Sequence, residues 1–141
     1  MQAARSFASI VAGAALLCAA ALPVHAADAG ATIIPRFNQP ITNIPGKSLV
    51  AVEVDYAPGA STPAHHHDKS AFIMGYVLSG AIKSQVDDGP VKVYHAGETF
   101  HEVPGASHRV SANASRTQPA KLLAVFVVDT HHGELTTLDA H

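Results

Sequence analysis

Apolar and polar residues alternate along residues 50–56, where Val50, Val52, Val54 and Tyr56 are separated by Ala51, Glu53 and Asp55. A period of two is the signature of a strand with one buried face. Turn signals then recur at Pro58-Gly59, Ser79-Gly80, Asp87-Asp88-Gly89-Pro90, Ala96-Gly97 and Pro104-Gly105. The runs AFIMGYVL, AIKSQV, VKVYH, TFHEV and HRVSA lie between them, and last comes KLLAVFVVD, which reads as a buried strand. No segment carries a helical stripe, and no internal repeat is found. Short strands at this spacing predict an all-β sandwich or barrel. Residues 27–47 read as an extended N-terminal arm with one short strand at Thr32 to Ile34. The tail, residues 130–141, contains His131, His132 and His141 and reads as loose surface.

The first 26 residues follow a different pattern. Arg5 precedes an uninterrupted apolar or small stretch from Ile10 to Leu22, and Val24-His25-Ala26 ends it with small residues at the positions a signal peptidase reads. An apolar core of this length is too short to span a bilayer. Residues 1–26 are therefore expected to be a signal peptide, which gives a periplasmic or secreted protein without a membrane anchor. Cys18, the single cysteine, lies in that core and would leave with it. Bulky Leu17 disfavours its use as a lipid-bearing residue. A mature chain without thiols excludes disulfides, cysteine–zinc sites and thiol catalysis. The net charge of −2 becomes more negative once Arg5 leaves, and there is no basic run. Nucleic acid is excluded as a partner on that ground.

Candidate chemistry concentrates in two segments, His65-His66-His67 and Gly105-Ala106-Ser107-His108. On a strand, His65 and His67 share one side and His66 takes the other. His108 follows a Pro-Gly turn and can arrive from a neighbouring strand. Three converging neutral imidazoles with a position left open make a catalytic type of metal site. Histidine is abundant, at 10 of 141 residues, so a solvated polar run is the competing reading. No serine sits on a recognisable nucleophile turn.

These segments resemble the paired motifs of the cupin superfamily, in its small single-domain conserved-barrel (type-2) form. The first family motif, G-x5-H-x-H-x(3,4)-E-x6-G, is matched by Gly59, His65, His67 and Gly80. In the second, G-x5-P-x-G-x2-H-x3-N, Gly97, Gly105 and His108 match, while Asn113 comes one residue late. The resemblance covers residues 48–129. It implies a jelly-roll β-barrel, or double-stranded β-helix, holding one divalent ion (iron, zinc, manganese, nickel or copper) through His65, His67 and His108. The ion would sit in a cavity with apolar walls, drawn from Ile73, Val77, Phe100 and Phe126 or their strand neighbours.

Two departures stand out. The family's glutamate is replaced, whichever spacing is used, by Ala71, Phe72 or Ile73, and its proline by Val103 with Pro104 one place on. A three-histidine site is the expectation. Its uncompensated charge would favour a small anionic ligand that chelates through oxygen. His101 and Glu102 are further candidates for a fourth ligand or a general acid/base, and as strand neighbours only one of them can face the cavity. His66, Gln85, His95 and Arg109 are assigned to the surface. The expected function is metal-dependent chemistry of the dioxygenase, lyase or isomerase type. The alternatives are a non-catalytic ligand-binding module and a metal-free cupin acting through surface contacts. Family analogy adds a homodimer paired through edge strands.

Overall fold

A computed structural model describes residues 30–140; the expected signal peptide lies outside the described residues. The described residues form eleven strands: β1 (Ala31–Pro40), β2 (Lys47–Tyr56), β3 (Ser61–Thr62), β4 (His65–His67), β5 (Phe72–Ser79), β6 (Ala81–Val86), β7 (Lys92–His95), β8 (Thr99–Glu102), β9 (Ser107–Asn113), β10 (Ala120–Asp129) and β11 (Thr136–Leu138). One antiparallel sheet has the order β1-β2-β10-β5-β8. The other runs β11-β4-β9-β6-β7, with β3 paired to β9. Two antiparallel sheets closing over one core make a jelly roll, the all-β class expected. No helix among the described residues is long and apolar enough to cross a membrane.

The alternation in the sequence becomes the inner face of the first sheet. Val54 and Tyr56 pack with Val77, Ile82, Phe100 and Leu122 at one end. Val50 packs with Ala71, Ile73, Phe126 and Val128 at the other. On β5 the parity is complete: Ile73 and Val77 are buried, whereas Phe72, Met74, Tyr76 and Leu78 stand exposed on the outer face. Gly75 faces Phe100 across the β5–β8 pair, and a Cβ there would lie 2.5 Å from Phe100 Cζ. The missing side chain is what lets the phenyl ring lie over the strand. Gly75→Ala should destabilise the fold by about 1–3 kcal/mol, read as a lower denaturation midpoint. An unchanged midpoint would mean that the ring moves aside freely.

Among the described residues, the segments on either side of the barrel are more ordered than the sequence suggested. β1 spans ten residues and pairs with β2 along its length, with a register shift between Pro35 and Phe37, instead of the three-residue strand expected. Pro35 and Pro40 obscured it, since proline argues against a central strand but is tolerated on an edge. Arg36 Nε donates to Glu53 Oε2 at 2.9 Å across this pair. Lys121 Nζ reaches the same carboxylate from β10 at 2.7 Å. With Lys121 as the larger influence and Arg36 next, the Glu53 carboxyl is pushed down to about 2. The C-terminal tail, expected to be loose, contributes β11, which pairs with the histidine strand β4. Three residues are too few for a periodicity to show in sequence.

Candidate metal centre

The Pro58-Gly59 turn, with Gly59 at φ 73°, leads through β3 into β4. Strand alternation then sets the three histidines: His65 is buried, His66 exposed and His67 half-buried. β4 pairs antiparallel with β9, with His65 directly opposite His108. Ring centroids lie 4.8 Å apart for His65 and His67, 5.2 Å for His65 and His108, and 6.3 Å for His67 and His108. One ring nitrogen from each lies within 4.8 Å of the others, so the three histidines are positioned to hold a metal ion.

The far nitrogen of each ring is fixed. His65 Nδ1 is 2.7 Å from the Pro63 carbonyl, and His67 Nδ1 is 3.1 Å from the Leu135 carbonyl. A carbonyl only accepts, so in both rings Nδ1 carries the proton and Nε2 keeps its lone pair. His108 Nε2 bonds the Ser84 hydroxyl at 2.9 Å, leaving Nδ1 toward the cluster. The carbonyl partners hold His65 and His67 in the orientation and tautomer a metal needs, whereas the Ser84 hydroxyl, able to donate or accept, orients His108 without setting its tautomer.

Glu102 is the residue whose place the sequence left open. It lies on β8 directly opposite Ile73 of β5, and only 2% of it is exposed. Its Oε1 is 3.2 Å from His108 Nδ1 and its Oε2 is 3.6 Å from His67 Nε2. Oε2 is buried and has no hydrogen-bond partner. Burial alone would raise the Glu102 carboxyl, but the contacts with His108, and then the nearby His67 and His65, bring it below the ordinary carboxylate value. Burial lowers His65 and His67 below the ordinary imidazole value and keeps both neutral. An ionised, under-bonded carboxylate beside neutral lone pairs is a donor set suited to a cation.

Of the two candidates for a fourth ligand or acid/base group, the structure thus brings Glu102 beside the three histidines. Ile73 does stand in the cavity wall without a donor, but its cross-strand partner brings a carboxylate to the cluster. His101, the neighbouring candidate, points outward, where it stacks on Phe72 with centroids 5.8 Å apart. It has no part in the site. His66 pairs with Asp139 and Arg109 with Asp88 at 3.0 Å, both away from the cluster. Asn113 ties loops together by donating to the Ala57 and Gln118 carbonyls.

The cavity beside the cluster has a volume of about 200 Å³. Ile73, Phe100 and Phe126 line it as expected, whereas Val77 is fully buried in the core. Sequence reasoning missed Tyr56 and Ser111, which line the cavity and bond one another at 2.6 Å. His108 and Ser111 are three residues apart, so an unbroken strand would send them to opposite faces. A register shift opposite Gln85 and Val86 brings both inward.

These lowered values fix a pH dependence for the metal-free protein. Above the ordinary histidine value of 6.5 both folded and unfolded chains hold His65 and His67 neutral. As the pH falls below it, the unfolded chain takes up protons that the folded one resists, so stability is lost. Glu102 acts in the same sense below its ordinary value of 4.5. Thermal unfolding should show a midpoint that drops from neutral pH through this range. A midpoint that rises would contradict the burial of these groups.

Comparison with known proteins agrees with the fold. The sequence profile described as "Cupin domain" matches residues 52–126, more than half of the chain. Oxalate oxidase in complex with glycolate superposes with a TM-score of 0.60 at 22% identity, over 80% of this chain and 57% of the oxidase. This chain thus spans little more than half the oxidase's length. A conserved Klebsiella pneumoniae protein with a double-stranded β-helix domain gives 0.55 at 24% identity, covering 77% and 86% of the two chains. The DMSP lyase DddQ from Ruegeria pomeroyi gives 0.54 at 20%, covering 64% and 42%. At these identities the likeness is one of fold. No curated protein matches the sequence. With the domain profile lying over the paired sheets and the histidine cluster between them, the chain belongs to the cupin family.

Proposed function

We propose that the protein is an exported, metal-dependent cupin that holds one divalent ion through His65, His67, His108 and Glu102 and acts on a small oxygen-chelating anion. The observation that carries this reading is Glu102 Oε2, a buried carboxylate oxygen with no partner among imidazoles whose outer nitrogens are already engaged. Leaving such an atom unsatisfied costs about 1–3 kcal/mol or more, and a bound cation offsets it. Imidazole and carboxylate donors suit iron, manganese, nickel, zinc or copper.

One carboxylate against a divalent ion leaves one net positive charge, which suits a monoanion chelating through oxygen. When bound, the ion supplies Lewis acidity toward that oxygen, the basis of oxygenase, lyase and isomerase chemistry in such sites. The chain's own part is to exclude water and fix orientation. Phe126 packs edge-on against His67 at 5.3 Å and Phe100 against His108 at 5.7 Å, giving the donors a dry side. Solved structures of similar fold include an oxalate oxidase bound to glycolate and a DMSP lyase, and both names fit a cavity for small organic molecules.

Export rests on the Ile10 to Leu22 apolar stretch and the Val24-His25-Ala26 site. A homodimer belongs to the same proposal. Support comes from the exposed Phe72, Met74, Tyr76 and Leu78, an apolar stripe on the outer face of β5, since contiguous exposed apolar residues mark interaction surfaces. One preparation tests all three points. Protein recovered from the exported fraction should contain one transition-metal ion per chain, begin at Ala27 by intact mass, and sediment as a dimer. Absence of metal overturns the metal reading, an intact N-terminus the export, and a monomer the pairing.

A further inference from the structure

The mouth of the cavity identifies the kind of molecule that the centre takes. Ile33 and Leu138 both line the cavity yet are 59% and 64% exposed, so they stand at its opening. They come from the two segments that sequence reading left outside the barrel. Ile33 lies on β1 opposite Val54, and Leu138 on β11 opposite His65. One edge strand from each sheet thus supplies an aliphatic side chain to the rim, with Leu135 beside them. From there Val52 and Ala124 continue the apolar wall inward to Ile73 and Phe126.

Among the lining residues the only ionisable groups other than Tyr56 are the three histidines and Glu102. The hydroxyls of Tyr56 and Ser111 satisfy one another, so that part of the wall does not require a polar ligand. Single exposed aliphatic residues carry no message. Two that frame one opening, joined to a charged cluster by a wall that is mostly apolar, with Thr62 and Thr136 its remaining hydroxyls, describe an amphipathic space.

Resting on the metal reading above, we propose that the ligand is an amphiphilic monoanion. It has a two-oxygen chelating head at the His65, His67, His108 and Glu102 cluster and an alkyl or aryl body that runs to the mouth, where Ile33 and Leu138 set its preferred length. The cavity is smaller than the roughly 300–1,000 Å³ typical of drug-sized ligands, so the body is short. An anion of only two carbons would leave the walls and rim uncovered.

The test uses alkylhydroxamates, monoanionic two-oxygen chelators available from acetyl to octanoyl, titrated into full-length protein loaded with Co²⁺, whose visible absorption reports coordination. Affinity should rise about two- to fourfold per methylene, as burial of hydrocarbon predicts, and level off once the tail clears the mouth. Ile33→Ser and Leu138→Ser should each reduce the ratio of longest-chain to acetyl affinity, and a ratio taken within one variant cancels changes at the metal. A normal acetohydroxamate response with no chain-length dependence overturns this inference alone, as does a ratio unchanged in both variants. If Co²⁺ fails to bind, or acetohydroxamate leaves its spectrum unchanged, the metal reading fails and this inference with it.

Discussion

Replacing His65, His67 or His108 with alanine should empty the proposed metal site of a chain that still folds, whereas His66→Ala should keep the metal. Each of the three contributes one donor to a cluster whose nitrogens lie within 4.8 Å of one another. The loss of affinity should therefore exceed the ~10–100-fold that follows from losing an outer hydrogen-bond partner. Ser84→Ala, which removes only the hydroxyl that bonds His108 Nε2, should fall within that smaller range. The fold should survive because most of its two apolar clusters lies away from the imidazoles, only Phe126 and Phe100 losing an edge-on contact with His67 and His108. Metal content per chain, with circular dichroism on the same samples, checks the set. Loss of metal in His66→Ala with retention in His65→Ala would mean that β4 has the opposite facing.

Glu102→Gln is expected to weaken metal binding by about 10–100-fold or more and to cost the metal-free protein some stability at neutral pH, because the ionised carboxyl is favoured in the fold. The amide keeps the shape but removes the charge that faces His108 and His67, and taking one partner from such a buried group is destabilising. The second half of the experiment moves the carboxylate back to the family's strand. Ile73 and Glu102 face one another in register, where Cβ atoms are about 4.5–5.5 Å apart. Ile73→Glu in the Glu102→Gln background should recover part of the lost affinity. In the wild-type background, Ile73→Glu cancels the remaining positive charge and should weaken the binding of anions. Calorimetry with metal and then with acetohydroxamate measures both steps. Unchanged metal affinity in Glu102→Gln would show that the carboxylate is not a donor.

What could be read from the sequence was what local geometry determines. Alternation on β2 gave the inner face of the barrel. Alternation on β4 placed His65 and His67 together, and the spacing of Gly105 and His108 brought the third ring. The relation between strands far apart in the chain was not legible. Parity says that only one of His101 and Glu102 faces inward, but choosing Glu102 requires knowing that β8 pairs with β5 and that Phe100 covers Gly75. The ends were misread for a related reason. β1 contains two prolines and β11 has three residues, and both are held in place by partners that local propensity does not include. Ser111 was hidden by a bulge, which breaks the period of two on which the reading relied.

The pairing of Ile73 with Glu102 also has an evolutionary consequence. Two facing side chains that reach the same cavity let a donor change strands in two substitutions, by gaining the second carboxylate before losing the first, so no step needs to pass through a protein without one. Along such a path the ligand set stays fixed in space while its order along the chain is rewritten. A motif defined as a string then scores a loss where the site has only moved sideways by one strand. Searching family members that lack the motif's glutamate for an acidic residue at its cross-strand partner would recover centres of this kind.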